Sequence, residues 1–108
     1  MRRTLLIVED TELDRDLLVQ IFEGMYDIRL ASDGLTAVEI ASTEPPDLIL
    51  MDIGLPGLSG LDAVRAIRAT GNAVPIIAVS SRVMPGDRER ALAAGCDDFV
   101  AKPIDDLV

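Results

Sequence analysis

The sequence predicts an open, mostly parallel α/β sheet with helices on both faces. Three observations carry that prediction. Five short apolar runs recur along the 108 residues. Most of them run without alternation between apolar and polar positions, unlike a strand with one wet face, and so read as strands covered on both sides. Between them lie segments with apolar residues at helical spacing, and strict alternation of the two element types is the pattern of a doubly wound fold.

The first strand is TLLIV, Thr4–Val8, rich in branched residues. The helix in DTELDRDLLVQIFEGM follows. Leu13, Leu17, Leu18, Ile21 and Phe22 recur at helical spacing, acidic residues crowd the first turn, and Gly24 lies near the end. YDIRLA is the second strand. SDGLTAVEIAS starts on a Ser/Asp capping pair and places Ala37, Val38 and Ala41 on one helical face. DLILM is the third strand, and SGLDAVRAIRAT the third helix, with Leu61, Val64 and Ile67 in one stripe. PIIAVS is the fourth strand. PGDRERALAAG is a helix stopped by Gly95. DFVA is a short fifth strand, and IDDLV begins a helix at which the sequence ends.

No linker, low-complexity segment or charge block divides the chain, so one domain is expected over residues 1–108. Apolar residues make up 49% and aromatics 3%, which calls for an aliphatic core. A formal charge of −9 and a pI of about 4.2 oppose binding to nucleic-acid phosphates or anionic membranes. They favour cations, or basic patches on protein partners. There is no histidine, and Cys96 is the sole cysteine. A disulfide framework, a Cys/His zinc site and a His-based catalytic triad within the chain are thereby excluded, and a reducing compartment is expected. The run after Arg2 and Arg3 is too short for a signal sequence and ends at Glu9-Asp10, and no run approaches membrane-spanning length. A cytoplasmic protein is the expectation.

In an open parallel sheet the working site lies at the carboxyl ends of the strands. Glu9 and Asp10 follow the first strand, Asp52 the third, Ser80 and Ser81 the fourth, and Lys102 the fifth. Taken singly, each has a plainer explanation. The acidic pair would cap a helix, Asp52 and Ser80 would be turn residues, Lys102 would be solvated, and Phe99 would sit in the core. Their convergence on one sheet edge outweighs those explanations. Three carboxylates so close cannot all stay ionised without a cation. Oxygen donors of this kind suit Mg²⁺. A lysine and a hydroxyl beside them complete the parts needed for phosphoryl transfer to an aspartate.

With those residues in place, LLIVED, DLILMDIGLPGLSGLD, PIIAVSS and GCDDFVAKPI together resemble the receiver domain of two-component response regulators. The acidic pair, the D-x-x-x-P-x-x-x-G loop and the Lys-Pro dipeptide carry the resemblance, which spans nearly the whole chain. It implies the CheY-like, flavodoxin-like fold with five parallel strands in the order 2-1-3-4-5 and an incomplete fifth helix. It implies that Asp52 is the phosphoacceptor, and that Asp10, Asp52 and the Gly54 carbonyl bind Mg²⁺, with Glu9 reaching it through water. Ser80 and Lys102 would bind the phosphoryl oxygens, a cis Lys102–Pro103 peptide would aim the lysine, and Phe99 would be a rotamer switch. Phosphorylation would then remodel the face of helix four, strand five and helix five.

A histidine kinase or a histidine phosphotransfer protein would be the donor, and an output domain or effector protein the recipient of the signal. The domain would catalyse only its own phosphorylation and dephosphorylation. Gly54, Ser80 in place of Thr, Phe99 in place of Tyr, and Arg82 depart from the commoner pattern without removing a required part. The short C-terminus suggests a fragment with apolar sheet surface exposed. Three other functions compete. An Mg²⁺-dependent aspartyl-phosphate phosphohydrolase would want a second Asp where Gly54 stands. A mononucleotide binder would want a phosphate-cradling loop where EDTELD stands. A degenerate receiver serving only as an interaction surface would not need the full residue set.

Overall fold

The computed structural model describes residues 2–54, 59–81 and 83–102. Their element order is β1 (Thr4–Val8), α1 (Glu12–Phe22), β2 (Asp27–Ala31), α2 (Gly34–Thr43), β3 (Leu48–Asp52), α3 (Gly60–Ala69), β4 (Ile76–Ser80), α4 (Asp87–Ala94) and β5 (Asp98–Ala101). All adjacent strands pair in parallel, in the order β2-β1-β3-β4-β5. The expected fold is therefore the observed one. The expected fifth helix, the Lys102–Pro103 peptide and Arg82 fall outside the described residues.

Strand alternation sorts the core into two layers. Leu6, Val8, Ile49, Met51, Ile76 and Ala78 point to the face covered by α2, α3 and α4, whose buried residues include Ala37, Ala41, Val64, Ile67 and Ala91. Leu5, Ile7, Leu50 and Val79 point to the other face, where α1 contributes Leu18 and Phe22. The inner strands β1, β3 and β4 are buried almost throughout, while the edge strands β2 and β5 are more open. Small residues at Ala37, Ala41 and Ala63 let α2 and α3 approach the sheet and each other. Aromatic side chains are not needed to fill such a gap.

Helix starts follow the expected chemistry. Asp33 accepts a hydrogen bond from the Thr36 N–H at 2.7 Å, and Ser59 accepts one from the Asp62 N–H at 3.2 Å. The expectation for α1 needs one adjustment. Leu18 and Phe22 form its buried row, but Leu13 is 72% exposed and Leu17 is also exposed. Leu13 and Leu17 form a neighbouring i, i+4 row, turned about 100° from the buried one, so both rows fit helical spacing while only one meets the sheet.

Arg68 fastens the end of the molecule opposite the acidic pair. Its Nε donates to the Gly95 carbonyl at 2.9 Å, its Nη1 to the Asn72 and Val74 carbonyls at 3.0 and 2.6 Å, and its Nη2 to Asp97 Oδ2 at 3.0 Å. One guanidinium thus joins the end of α3, the approach to β4 and the turn between α4 and β5. Arg68→Ala is expected to cost about 2 kcal/mol, because several half-buried acceptors lose their donor at once. Urea unfolding of the variant beside the native chain checks this, and an unchanged midpoint would contradict it.

Candidate phosphoacceptor site

Each group of the site is carried to the sheet edge by backbone pairing. The Glu9 N–H donates to the Ala31 carbonyl at 2.9 Å, which prolongs the β1/β2 ladder by one residue past Val8. The Ile53 N–H donates to the Val79 carbonyl at 3.1 Å and prolongs the β3/β4 ladder beyond Asp52. The Lys102 N–H donates to the Ser80 carbonyl at 2.8 Å, so the lysine and the serine are fastened together through the main chain.

The return of the chain from Asp52 to α3 is equally close. A Cβ at position 60 would overlap the Asp52 carbonyl oxygen and stand 2.7 Å from the Ile53 Cα. Only glycine allows that approach, which gives Gly60 of the signature loop a steric reason. Pro56 of the same loop lies outside the described residues.

Glu9, Asp10 and Asp52 each offer a carboxylate oxygen, and these oxygens lie within 4.8 Å of one another. Glu9 is only 1% exposed and Asp52 7%, while Asp10 faces solvent. Asp52 Oδ1 accepts the Gly54 N–H at 2.9 Å. Glu9 Oε2 accepts the Thr11 N–H at 3.3 Å. Ser80 is buried at the end of β4.

Lys102 supplies the positive charge. Its ammonium hydrogen-bonds Glu9 Oε1 and lies 3.2 Å from Asp14 Oδ2 and 3.7 Å from Asp52 Oδ2. Burial pushes the Glu9 carboxyl up, the Lys102 bond offsets part of the rise, and the Asp52 carboxylate adds to it, reaching about 7. Burial alone would lower the Lys102 ammonium, but its bond to Glu9 and the charges of Asp52 and Glu9 outweigh this, and the net direction is up.

The donor set fits a hard divalent cation. It consists of oxygen atoms only, two of the three carboxylates are buried, and one lysine cannot neutralise them all. The same residues offer neither imidazole nor thiol, so they do not suit a zinc site. Cys96, the one thiol, is buried in the α2–α4 core layer, and burial pushes it up to about 11.

The structure therefore brings Glu9, Asp10, Asp52, Ser80 and Lys102 to one edge, as the strand-end argument expects. Gly54 is present through its N–H. Phe99 stands apart in the core layer beneath α4. Its backbone is gripped from α4, where Arg88 Nη1 donates to Asp98 Oδ1 at 3.0 Å and to the Phe99 carbonyl at 3.4 Å. Two residues of the site escaped the sequence argument. Asp14 reaches Lys102, and Arg15 Nη1 donates to the Glu9 carbonyl at 3.2 Å. Both lie in the first turns of α1.

Comparison with known proteins decides the family. Residues 5–107 match the family described as the response regulator receiver domain. The chain belongs to that family. As a receiver domain it is part of two-component signalling, a signalling domain rather than a conventional enzyme. It is 38% identical over 107 residues to the polar-differentiation response regulator DivK of Brucella anthropi, covering 96% of this chain and 87% of the relative.

Among solved structures, it is similar to the receiver domain of the sensor histidine kinase PA1611 from Pseudomonas aeruginosa, at 40% identity and a TM-score of 0.86. That match covers 95% of this chain and 87% of the other, which holds a magnesium ion coordinated in its active-site cleft. It is also similar to the receiver domain of the Saccharomyces cerevisiae response regulator Ssk1, solved in complex with the histidine phosphotransfer protein Ypd1. There the identity is 30% and the TM-score 0.86, over 94% of this chain and 79% of the other. No helix among the described residues is long and apolar enough to cross a membrane.

Proposed function

We propose that this receiver domain is a phosphorylation-operated switch in which Asp52 accepts a phosphoryl group from a histidine kinase or a histidine phosphotransfer protein. The observation that carries this reading is the arrangement around Asp52. A buried carboxylate at the end of a strand is flanked by two further carboxylates and faced by the Lys102 ammonium.

An Asp52 carboxylate oxygen attacks the phosphorus of a phosphohistidine or an acyl phosphate. The P–N or P–O bond breaks, and its electron pair leaves with the imidazole or the carboxylate. An aspartyl phosphate remains on the domain. Asp10, Asp52 and the Gly54 carbonyl would hold Mg²⁺ directly and Glu9 through water. The bound ion supplies neutralisation of the negative charge on the phosphoryl oxygens. Lys102 and the Ser80 hydroxyl donate hydrogen bonds to those oxygens. The magnesium-bearing cleft of the PA1611 relative supports the metal assignment, and the Ypd1 complex of the Ssk1 relative supports the donor class.

The signal then leaves through the backbone that Ser80 and Lys102 share. Phe99 lies three residues before Lys102 on β5, and a rearrangement of Ser80 and Lys102 toward the phosphoryl group would alter its packing under α4. The face of α4, β5 and the segment after β5 would present the result to an output domain or effector protein. A cytoplasmic location fits a chain whose one cysteine is an unpaired buried thiol.

Incubation with acetyl phosphate and Mg²⁺, followed by intact-mass measurement, tests the acceptor. One phosphoryl adduct is expected on the native chain and none on Asp52→Asn. Full phosphorylation of Asp52→Asn would mean that the acceptor lies elsewhere.

A further inference from the structure

Asp14 has no place in the strand-end pattern, yet it is bound to the residue on which transfer depends. The Lys102 ammonium has three N–H donors. Two are directed to Glu9 Oε1 and to Asp14 Oδ2, the latter at 3.2 Å. Asp52 Oδ2, at 3.7 Å, lies beyond hydrogen-bond reach. Asp14 is not among the three carboxylates grouped for a metal, and its side chain is 38% exposed on the rim of the site. Its contact with Lys102 belongs to the ground state, because the ammonium has to turn toward Asp52 to meet a phosphoryl oxygen. A contact present before the reaction and released in its transition state raises the barrier.

We propose that Asp14 is a positioning residue that tethers Lys102 on the Glu9 side of the cleft and so slows phosphorylation of Asp52. The proposal rests on Asp52 being the acceptor. It also assigns a second effect to the same carboxylate. An incoming phosphodonor is an anion, and Asp14 adds negative charge at the rim it must cross.

The test compares Asp14→Asn with Asp14→Glu, which keeps the charge, and with Asp16→Asn, which removes one charge from an exposed position on the same helix. Rate constants for phosphorylation by acetyl phosphate with Mg²⁺ give the first readout. Asp14→Asn is expected to react about two- to fivefold faster than the native chain, the range expected of one half-exposed ion pair. Asp14→Glu and Asp16→Asn should stay near the native rate.

The second readout needs neither metal nor donor. Of the ten Lys and Arg residues, Lys102 is the single lysine. Acylation of amines by N-hydroxysuccinimidyl acetate therefore reports on it directly, with the chain's α-amine as internal reference. Lys102 should be labelled severalfold faster in Asp14→Asn only.

Faster labelling together with faster phosphorylation supports the tether. Unchanged labelling, or faster labelling with an unchanged or slower phosphorylation rate, overturns it while leaving Asp52 as acceptor. Absence of any adduct on the native chain overturns both the tether's role and the acceptor assignment, whatever the labelling shows.

Discussion

Lys102→Ala is expected to destabilise the metal-free domain by about 3 kcal/mol and to slow phosphorylation on the order of a hundredfold even with Mg²⁺ present. The first effect follows from what the ammonium holds together. Glu9 and Asp52 are buried, Asp10 is close to both, and Asp14 completes the cluster from α1. Removing the one nearby lysine leaves buried carboxylates facing one another, and the loss is limited because Glu9 can take up a proton. Mg²⁺ should recover most of the stability, since a divalent cation neutralises the same oxygens. It should not recover the rate, because a donor to the phosphoryl oxygens is still missing. Urea unfolding with and without Mg²⁺, read beside the phosphorylation rate, checks both parts. A variant as stable as the native chain in EDTA would contradict the electrostatic account.

Glu9 predicts an unusual pH dependence. Its carboxyl has an ordinary value of 4.5 and stands at about 7 in the fold, chiefly through burial. Between those values the folded state holds a proton that the unfolded chain has released. Stability in EDTA should therefore fall as pH rises through that window. The contribution is fully present below 4.5 and lost above about 7, and it amounts to roughly 3 kcal/mol. Asp33, Asp87 and Asp98 do not mask it, because hydrogen bonds, chiefly from backbone N–H groups, lower each of them from its ordinary 3.8, and a lowered carboxyl acts on stability only on the acid side of the Glu9 window. Glu9→Gln should flatten the slope, and Mg²⁺, which favours the ionised carboxylate, should oppose it. Denaturation midpoints at pH 5 and pH 8 that match between the native chain and Glu9→Gln would contradict the assignment.

The sequence made the sheet legible because its strands are short, because the inner ones β1, β3 and β4 are branched and unalternated, and because chemically distinct groups follow the strands that build the site. Strand ends in a parallel sheet share one edge, so Glu9, Asp10, Asp52, Ser80 and Lys102 could be gathered before any coordinates were known. Helix faces were less legible. Leu13 and Leu17 obey the same periodicity as Leu18 and Phe22, and periodicity alone does not say which row the sheet covers.

Asp14 and Arg15 were missed for a related reason. Acidic residues in a first helical turn are explained by the helix dipole. That explanation conceals that one of them reaches 88 residues along the chain to Lys102. The reason for Gly60 was likewise invisible in the sequence, since the overlap it avoids is with the backbone of Asp52, eight residues earlier.

The most direct measurement is to trap the acyl phosphate where it forms. Borohydride reduces an aspartyl phosphate to homoserine, so treating the Mg²⁺- and acetyl phosphate-incubated chain and mapping its peptides by mass reads the acceptor position itself. Homoserine at position 52, formed only with Mg²⁺, is the predicted result. Homoserine at position 10 or elsewhere, or an Asp52 peptide left unmodified in a chain that has gained a phosphoryl group, would contradict it.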